Sequence, residues 1–416
     1  MKKYQYRLGD LIERVIDNRG KTPPYQNEGI PIIEVASIAK NNRHPDYKKV
    51  NKYVNTETYK SWFRSGHPQN GDVLVSTVGQ IGKVSIMDET VACIAQNIVA
   101  LRVKKELIVP DFLYYYLIRD SVQDFLQAMN IGSAQPSIKV PHLLDLTVDI
   151  PTIETQKKIV GILKSLDDKI ELNLKMNETL EEMAMTLYKH WFVDFGPFQD
   201  GEFVESELGM IPEGWECIEI GEAVSVLGGG TPKTSVKEYW ENGDINWFSP
   251  TDLTTQKSLF ISKSSKKITK LGLEKSSAKL FPPYCVMMTS RATIGEISIN
   301  REEACTNQGF ITLIPNETFT MYQLYFWLKT NMDLILSIAN GSTFKEVSKT
   351  NFKKLKILKP KNIEEFTQKC EKLFKLIESN LIEIEELTNI KDYLLPRLLS
   401  GEIDVSQAEK QVEEVL

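Results

Sequence analysis

Apolar residues recur at alternating intervals of four and three along one stretch of the chain: Ile159, Leu163, Leu166 and Ile170, then Leu180, Ala184, Leu187 and Trp191, with Asn173 and Asn177 filling the two positions between. A second stretch keeps the same rhythm through Ile363, Phe366, Cys370, Leu373, Ile377, Asn380, Ile384, Leu387, Lys391 and Leu394. A period of about 3.5 residues is that of a coiled-coil seam, so both stretches predict long helices whose similar lengths make them natural partners. Start signals agree: Thr152 follows Pro151 with Glu154 in the first turn, and Asn362 precedes Glu365 in the capping-box pattern. Pro396 is expected to end or kink the second helix. Asn173, Asn177 and Asn380 sit mid-seam, where an asparagine either fixes the register at some loss of stability or rolls out to solvent.

The rest of the chain has a different texture. Short alternating runs such as Val73-Leu74-Val75-Ser76 and Val84-Ser85-Ile86-Met87 predict strands, with Gly79 and Gly82 permitting a tight turn between them. Residues 110–129 and 320–339 predict amphipathic helices with aromatic-rich apolar faces. Laying the second half of the sequence on the first exposes an internal repeat with a period of about 210 residues. Leu8-Gly9-Asp10 answers to Ile220-Gly221-Glu222, and Thr22-Pro23 to Thr231-Pro232. Residues 72–86 match 285–299, Cys93 and Gln96 match Cys305 and Gln308, Gly132-Ser133 matches Gly341-Ser342, and Pro151 matches Pro360. The expected fold class is α+β: a mixed α/β domain at 1–150, a helix at 151–200, a second such domain at 201–359, and a helix with a tail at 360–416.

At 416 residues, 42% hydrophobic and 25% charged, the chain has the balance of a globular protein of two or three domains. No apolar run approaches the roughly 18 residues of a membrane span, and the N-terminal residues lack the apolar core of a signal peptide, so a cytoplasmic location and no membrane partner are expected. Five scattered cysteines and four histidines argue against a disulfide framework or a zinc site. The net charge of -6 argues superficially against nucleic acid, yet it divides unevenly: +3 over 1–150, -3 over 151–200, -7 over 201–223, +7 over 224–359 and -6 over 360–416. Two basic blocks alternate with acidic ones, which leaves room for phosphate binding on the blocks alone.

Motifs that carry chemistry are fragmentary. Pro23-Pro24-Tyr25 and Pro282-Pro283-Tyr284 resemble the catalytic loop of amino-methyltransferases, but Thr22 and Phe281 stand where an Asp, Asn or Ser is needed to accept from the target amino group, so both read as turns. Gly228-Gly229-Gly230-Thr231-Pro232 lacks the Gly-Lys-Ser/Thr of a phosphate loop. Pro45-Asp46 and Glu346-Val347-Ser348-Lys349 are pieces of nuclease motifs without the rest of the cluster, and Asp194-Phe195-Gly196 copies a kinase tripeptide with no other kinase element. No catalytic, cofactor or metal residues are assigned on this basis.

Polar residues bracketing the repeated turns are better candidates, because reading bases needs donors and acceptors on exposed loops. In the first block these are Arg19, Lys21, Asn41, Asn42, Arg43, Thr77, Gln80, Gln96, Ser133, Gln135 and Lys139. In the second they are Lys233, Lys237, Thr251, Arg291, Thr293, Gln308, Ser342, Thr343 and Lys345. Gln96 and Gln308, inside apolar runs, are equally suited to satisfying buried backbone groups.

Residues 137–173, Leu187-Tyr188-Lys189-His190-Trp191-Phe192-Val193-Asp194-Phe195-Gly196-Pro197-Phe198 and the ending at 394–403 give the chain a resemblance, over essentially its whole length, to the specificity subunits of type I restriction-modification enzymes. The resemblance implies two target-recognition domains, each reading one half of a bipartite, asymmetric site on double-stranded DNA, held apart by an antiparallel pair of helices. It implies docking of two methyltransferase subunits, which bind S-adenosylmethionine, and of two restriction/translocase subunits, which use ATP and magnesium. This chain itself is then expected to be no enzyme and to hold none of these cofactors. The rival expectations are a self-contained methyltransferase or nuclease, which needs a cofactor loop and an acidic cluster, and a coiled-coil scaffold without DNA contact, which leaves the two basic blocks unexplained.

Overall fold

A computed structural model describes residues 2–38, 42–132, 135–341 and 345–413. The chain divides into two compact units, Met1–Leu174 with Glu383–Leu416, and Lys175–Ile382. The two long helices run over Ile153–Phe192 and Glu364–Ser400. Each unit therefore takes half of both helices, and what the sequence reads as separate helical segments is shared between the globular blocks.

In unit 1, strands β1 (Tyr4–Arg7), β2 (Ile12–Asp17), β3 (Ile30–Ile33), β4 (Tyr53–Val54), β5 (Val73–Ser76), β6 (Val84–Ile86), β7 (Cys93–Ile94), β8 (Ile98–Val103) and β9 (Thr147–Ile150) form three sheets. The central one has the order β2-β8-β5-β6, every pair antiparallel. A small sheet β4-β3-β7 pairs β3 antiparallel with β4 and parallel with β7, and β1 pairs antiparallel with β9. Strand β5, between β8 and β6 in the central sheet, is buried at all of its positions, which is why Val73, Leu74 and Val75 form a continuous apolar run.

Unit 2 contains β10 (Phe203–Ser206), β11 (Gly209–Pro212), β12 (Glu216–Glu219), β13 (Ser225–Gly228), β14 (Ile245–Phe248), β15 (Phe260–Ile261), β16 (Lys266–Ile268), β17 (Val286–Thr289), β18 (Ile297–Asn300), β19 (Ala304–Thr306), β20 (Phe310–Ile314) and β21 (Lys356–Lys359). Its central sheet runs β13-β20-β17-β18, antiparallel throughout, with β15 added parallel to β18. The small sheet β16-β14-β19 again pairs its middle strand antiparallel on one side and parallel on the other, and β12 pairs antiparallel with β21. The sequence repeat is thus a repeat of strand pairing. The β10-β11 hairpin and β15 belong to unit 2 alone.

Inside each unit the two helix segments run antiparallel. In unit 1, Asp167 meets Lys391 and Asn173 meets Glu383. In unit 2, Asn177 meets Asn380 and Trp191 meets Phe366. Ile159, Leu163, Leu166 and Ile170 pack with Leu387, Leu394 and Leu398 into the core of unit 1, which continues into Phe112 and Tyr115. Ala184, Tyr188 and Trp191 pack with Phe366, Cys370, Phe374 and Ile377 into that of unit 2. Each such large side chain contributes about 1.5–3 kcal/mol on burial, so the seams belong to the globular cores rather than forming an isolated coiled coil.

Three expectations are corrected. Pro396 does not end the second helix, which runs to Ser400; buried Leu394, Leu395, Leu398 and Leu399 hold both sides of the proline, and the stop is Gly401, at φ +79°, whose N–H donates to the Arg397 and Leu398 carbonyls. The stretch at 110–129 is two helices, Pro110–Ile118 and Asp120–Ala128, because Arg119 is extended and the Gln123 side chain donates to the Leu117 carbonyl that the break sets free. The stretch at 320–339 divides likewise into Met321–Thr330 and Met332–Ser337, at Asn331.

Candidate nucleic-acid interface

The end of β2, the turn from β5 to β6 and the start of β8 lie at one end of the central sheet of unit 1. The β5-β6 turn has a specific clamp: Ser76 Oγ donates to the Gln80 carbonyl at 2.6 Å and accepts from Lys83 N–H at 2.8 Å. Gly79 and Gly82 take φ of +81° and +82°, the left-handed values that this turn requires. Gln123 and Gln127, from the helix behind, donate to the Gly82 and Ile81 carbonyls and hold the turn from below. The segment before the short helix Val140–Leu144 then crosses the turn: Val78 forms an isolated antiparallel bridge with Ser137, Gly79 N–H donates to the Pro136 carbonyl, and Ile138 N–H to that of Thr77.

Unit 2 builds the same edge from different side chains. Thr289 Oγ1 donates to the Thr293 carbonyl and accepts from Glu296 N–H at 3.0 Å, repeating the Ser76 clamp. Arg291 forms an isolated antiparallel bridge with Glu346, and Val347 N–H donates to the Ser290 carbonyl. Ser290 N–H donates to the Gly309 carbonyl, and Gly230 N–H to that of Thr306, which brings the glycine run beside the turn. A Cβ on Gly229 would lie 2.0 Å from the Asn307 carbonyl oxygen. The run is therefore glycine-rich for close packing.

Most of the sequence candidates with described positions lie on or beside these edges. Gln80, Gln135 and Lys139 in unit 1 and Arg291, Thr293, Gln308, Lys233, Thr251 and Lys345 in unit 2 are exposed. Gln308 Oε1 accepts from Thr231 Oγ1 at 2.6 Å, and Thr251 lies in the first turn of the helix Pro250–Gln256, whose Pro250 packs near Gly309. Arg19, at the end of β2, folds back on Asp17, and exposed Lys237 pairs with Glu241. Lys21 and Asn42 are exposed, and the Lys21 carbonyl accepts from Trp62 Nε1. Asn41, Ser133, Ser342 and Thr343 lie outside the described residues.

Two candidates are placed where a DNA contact is not open to them, and a third turns inward. Thr77 is fully buried, with its hydroxyl donating to the Asn97 carbonyl. Arg43 lies against the first long helix, where it pairs with Asp168 at 3.1 Å and reaches toward Asp111 at 4.0 Å. Burial works against its charge, but Asp168, Tyr115, Asp111 and Asp167 together outweigh that and raise its pKa. Among the described residues Gln96 Nε2 is buried with no partner, as is Asn97 Oδ1 beside it, so its amide N–H groups satisfy no backbone carbonyl there.

Residues that sequence reasoning missed include Glu346, Asn97 and the turn-supporting Gln123 and Gln127. Glu346 was visible only as a nuclease-like fragment, and nothing in the linear pattern placed it opposite Arg291. The other fragments have structural roles. Tyr284, at φ +64°, donates to Glu378 behind a buried Phe281, and Phe195, at φ +50°, packs edge-on against Phe203 and Trp215. Among the described residues no group of three His, Cys, Asp or Glu is arranged to hold a metal ion, and no helix is long and apolar enough to cross a membrane. Cys93, Cys285, Cys305 and Cys370 are free and buried, and burial pushes each thiol up to about 12. What the two edges offer is amides, a guanidinium and lysines on rigidly held turns, which suits hydrogen bonding to base edges and pairing with phosphates.

Residues 1–182 and 212–392 match the family model described as the type I restriction modification DNA specificity domain. The chain is 27% identical, across 96% of its length and 99% of the relative's, to the type I restriction enzyme HindI specificity subunit of Haemophilus influenzae. It is 37% identical to the MjaIX specificity subunit of Methanocaldococcus jannaschii over 38% of this chain and 37% of that one. The solved S subunit of a type I restriction-modification system from M. genitalium shares the fold, with a TM-score of 0.57 over 96% of both chains at 17% identity. Two family matches, one in each half of the repeat, and a relative aligned from end to end leave one conclusion: the chain belongs to the family of type I restriction-modification DNA specificity subunits.

Proposed function

We propose that each unit reads one half of a bipartite, asymmetric site on double-stranded DNA, using the end of its central sheet, and that the chain performs no chemistry itself. The blocks at 1–150 and 201–359 are the target-recognition domains, and the helices within 151–200 and 360–416 serve as spacers. Two methyltransferase subunits and two restriction/translocase subunits dock on the chain and bring S-adenosylmethionine, ATP and magnesium with them. The observation that carries this reading is one framework with two sets of side chains. The hydroxyl clamps of Ser76 and Thr289 hold equivalent turns, and the bridge that crosses them joins Val78 to Ser137 in one unit and Arg291 to Glu346 in the other. Conserved geometry with different donors and acceptors is what two readers of different sequences require.

The experiment is to map methylated adenines in cells with and without this chain. The expected result is a methylated motif of two unlike half-sequences around an unread spacer, present only when the chain is. A palindromic motif with equivalent halves, or the same motif in its absence, overturns the reading. Transfer of methyl groups to DNA by the isolated chain supplied with S-adenosylmethionine would overturn the assignment as a subunit without chemistry.

A further inference from the structure

We infer that the ion pair of Arg291 and Glu346 reads a G·C base pair, with Arg291 on the guanine, and so fixes one position of the half-site read by unit 2. The inference rests on the proposed DNA-reading role and adds to it the base that one bridge selects. The two residues face each other across an isolated antiparallel bridge, closed by Asn340 and Glu346 exchanging backbone hydrogen bonds at 2.9 and 2.8 Å. Their side chains meet at 3.7 Å, from Arg291 Nε to Glu346 Oε2, and both remain nearly half exposed, at 48% and 45%. Among the described residues the terminal nitrogens of Arg291 have no hydrogen-bond partner.

The chemistry of the pair separates a base from a phosphate. A phosphate offers only acceptors and negative charge, so a carboxylate beside the guanidinium works against it. A G·C pair in the major groove displays the acceptors O6 and N7 on guanine and the donor N4–H2 on cytosine. A fork of free N–H groups with a carboxylate at its side matches that set and no other base pair as well. Glu346 acts twice here: its carboxylate lies beside Nε, at 3.7 Å, and leaves the terminal nitrogens of the guanidinium open, and it offers an acceptor to the cytosine amino group. Unit 1 has Val78 and Ser137 at the same bridge and presents neither charge, so this position discriminates differently in the other half-site.

The test uses the full chain with its partner subunits in cells, with methylated adenines mapped for the unaltered chain and for Arg291→Gln, Arg291→Lys and Glu346→Gln. The unaltered chain should give a motif with an invariant G·C pair in one half. Arg291→Gln and Arg291→Lys should both lower discrimination at that position about tenfold or more, since lysine keeps the charge but loses the fork, while the other half stays unchanged. Glu346→Gln should lower it to a smaller extent at the same position. If Arg291→Lys instead behaves as the unaltered chain and Arg291→Gln weakens every site equally, the residue binds a phosphate and the inference is wrong. An unchanged motif in all three variants, or loss of all methylation in all three, also overturns it. If the unaltered chain gives no bipartite motif at all, the function proposed above fails instead.

Discussion

Asn380 donates its side-chain N–H to Asn177 Oδ1 at 2.8 Å, in the seam between the two helix segments of unit 2. Within the seam of unit 1, Asn173 is 1% exposed and donates to Glu383, which Lys169 also pairs at 3.0 Å. The mid-seam asparagines are therefore turned inward. Because Asn177 Nδ2 is buried without a partner among the described residues, the Asn pair holds register at a cost. Asn380→Ala should lower stability by about 1–2 kcal/mol by stranding Asn177 Oδ1. Replacing both Asn177 and Asn380 by Leu should recover that loss or exceed it. Urea midpoints of the two variants check this, and a double variant less stable than Asn380→Ala would count against it.

The long helices were legible in the sequence because a 3.5-residue rhythm survives over many turns, and the repeat was legible because equivalent strands keep equivalent residues, as in 72–86 and 285–299. What could not be read was which faces meet. Arg43 resembles a reading residue in a polar loop, yet its partner Asp168 lies on a helix far along the chain. Pro396 signals a stop that four buried leucines override. Thr77 and Gln80 are three residues apart on one turn, but the first is consumed by packing on Asn97 and the second is exposed. Glu346 acquires meaning only when the chain folds it opposite Arg291.

Tyr115 donates to Asp167 Oδ2 at 2.7 Å, and Lys391 holds the other oxygen at 2.8 Å. Tyr115→Phe removes a hydrogen bond to a charged group and should cost about 1.5–3 kcal/mol. Burial, first among the causes, raises the pKa of Tyr115 as it does those of Tyr47, Tyr114, Tyr188, Tyr322 and Tyr325. In the unfolded chain these phenols ionise near about 10, whereas in the folded chain they hold their protons to higher pH. The stability that these phenols contribute should therefore be fully present below about pH 10 and be lost as pH rises beyond it. Tyrosinate absorbance from these residues should appear together with loss of helical circular dichroism; ionisation well before unfolding would contradict the burial.

Two glycines should respond in opposite senses to alanine. At Gly229 the added Cβ would meet the Asn307 and Thr306 carbonyl oxygens at 2.0 and 2.2 Å, so Gly229→Ala must push the loops of unit 2 apart, at about 1–3 kcal/mol. Gly161 is an exposed position inside the first long helix with nothing within 4 Å of the new Cβ, and Gly161→Ala should stabilise by about 0.5–1 kcal/mol. Thermal melts of the two variants give both signs.

The most direct measurement alters the edge of unit 1 alone. Gln80 and Gln135 are exposed side chains on that edge, with Gln135 Nε2 beside Gly79 of the same turn, and the clamp that holds the turn uses the Gln80 carbonyl rather than its amide. Methylated adenines mapped in cells carrying Gln80→Ala with Gln135→Ala should show a motif degenerate in one half, with the other half and the spacer unchanged. A motif altered in both halves at once, or in neither, would contradict the claim that each unit reads its own half-site at the end of its sheet.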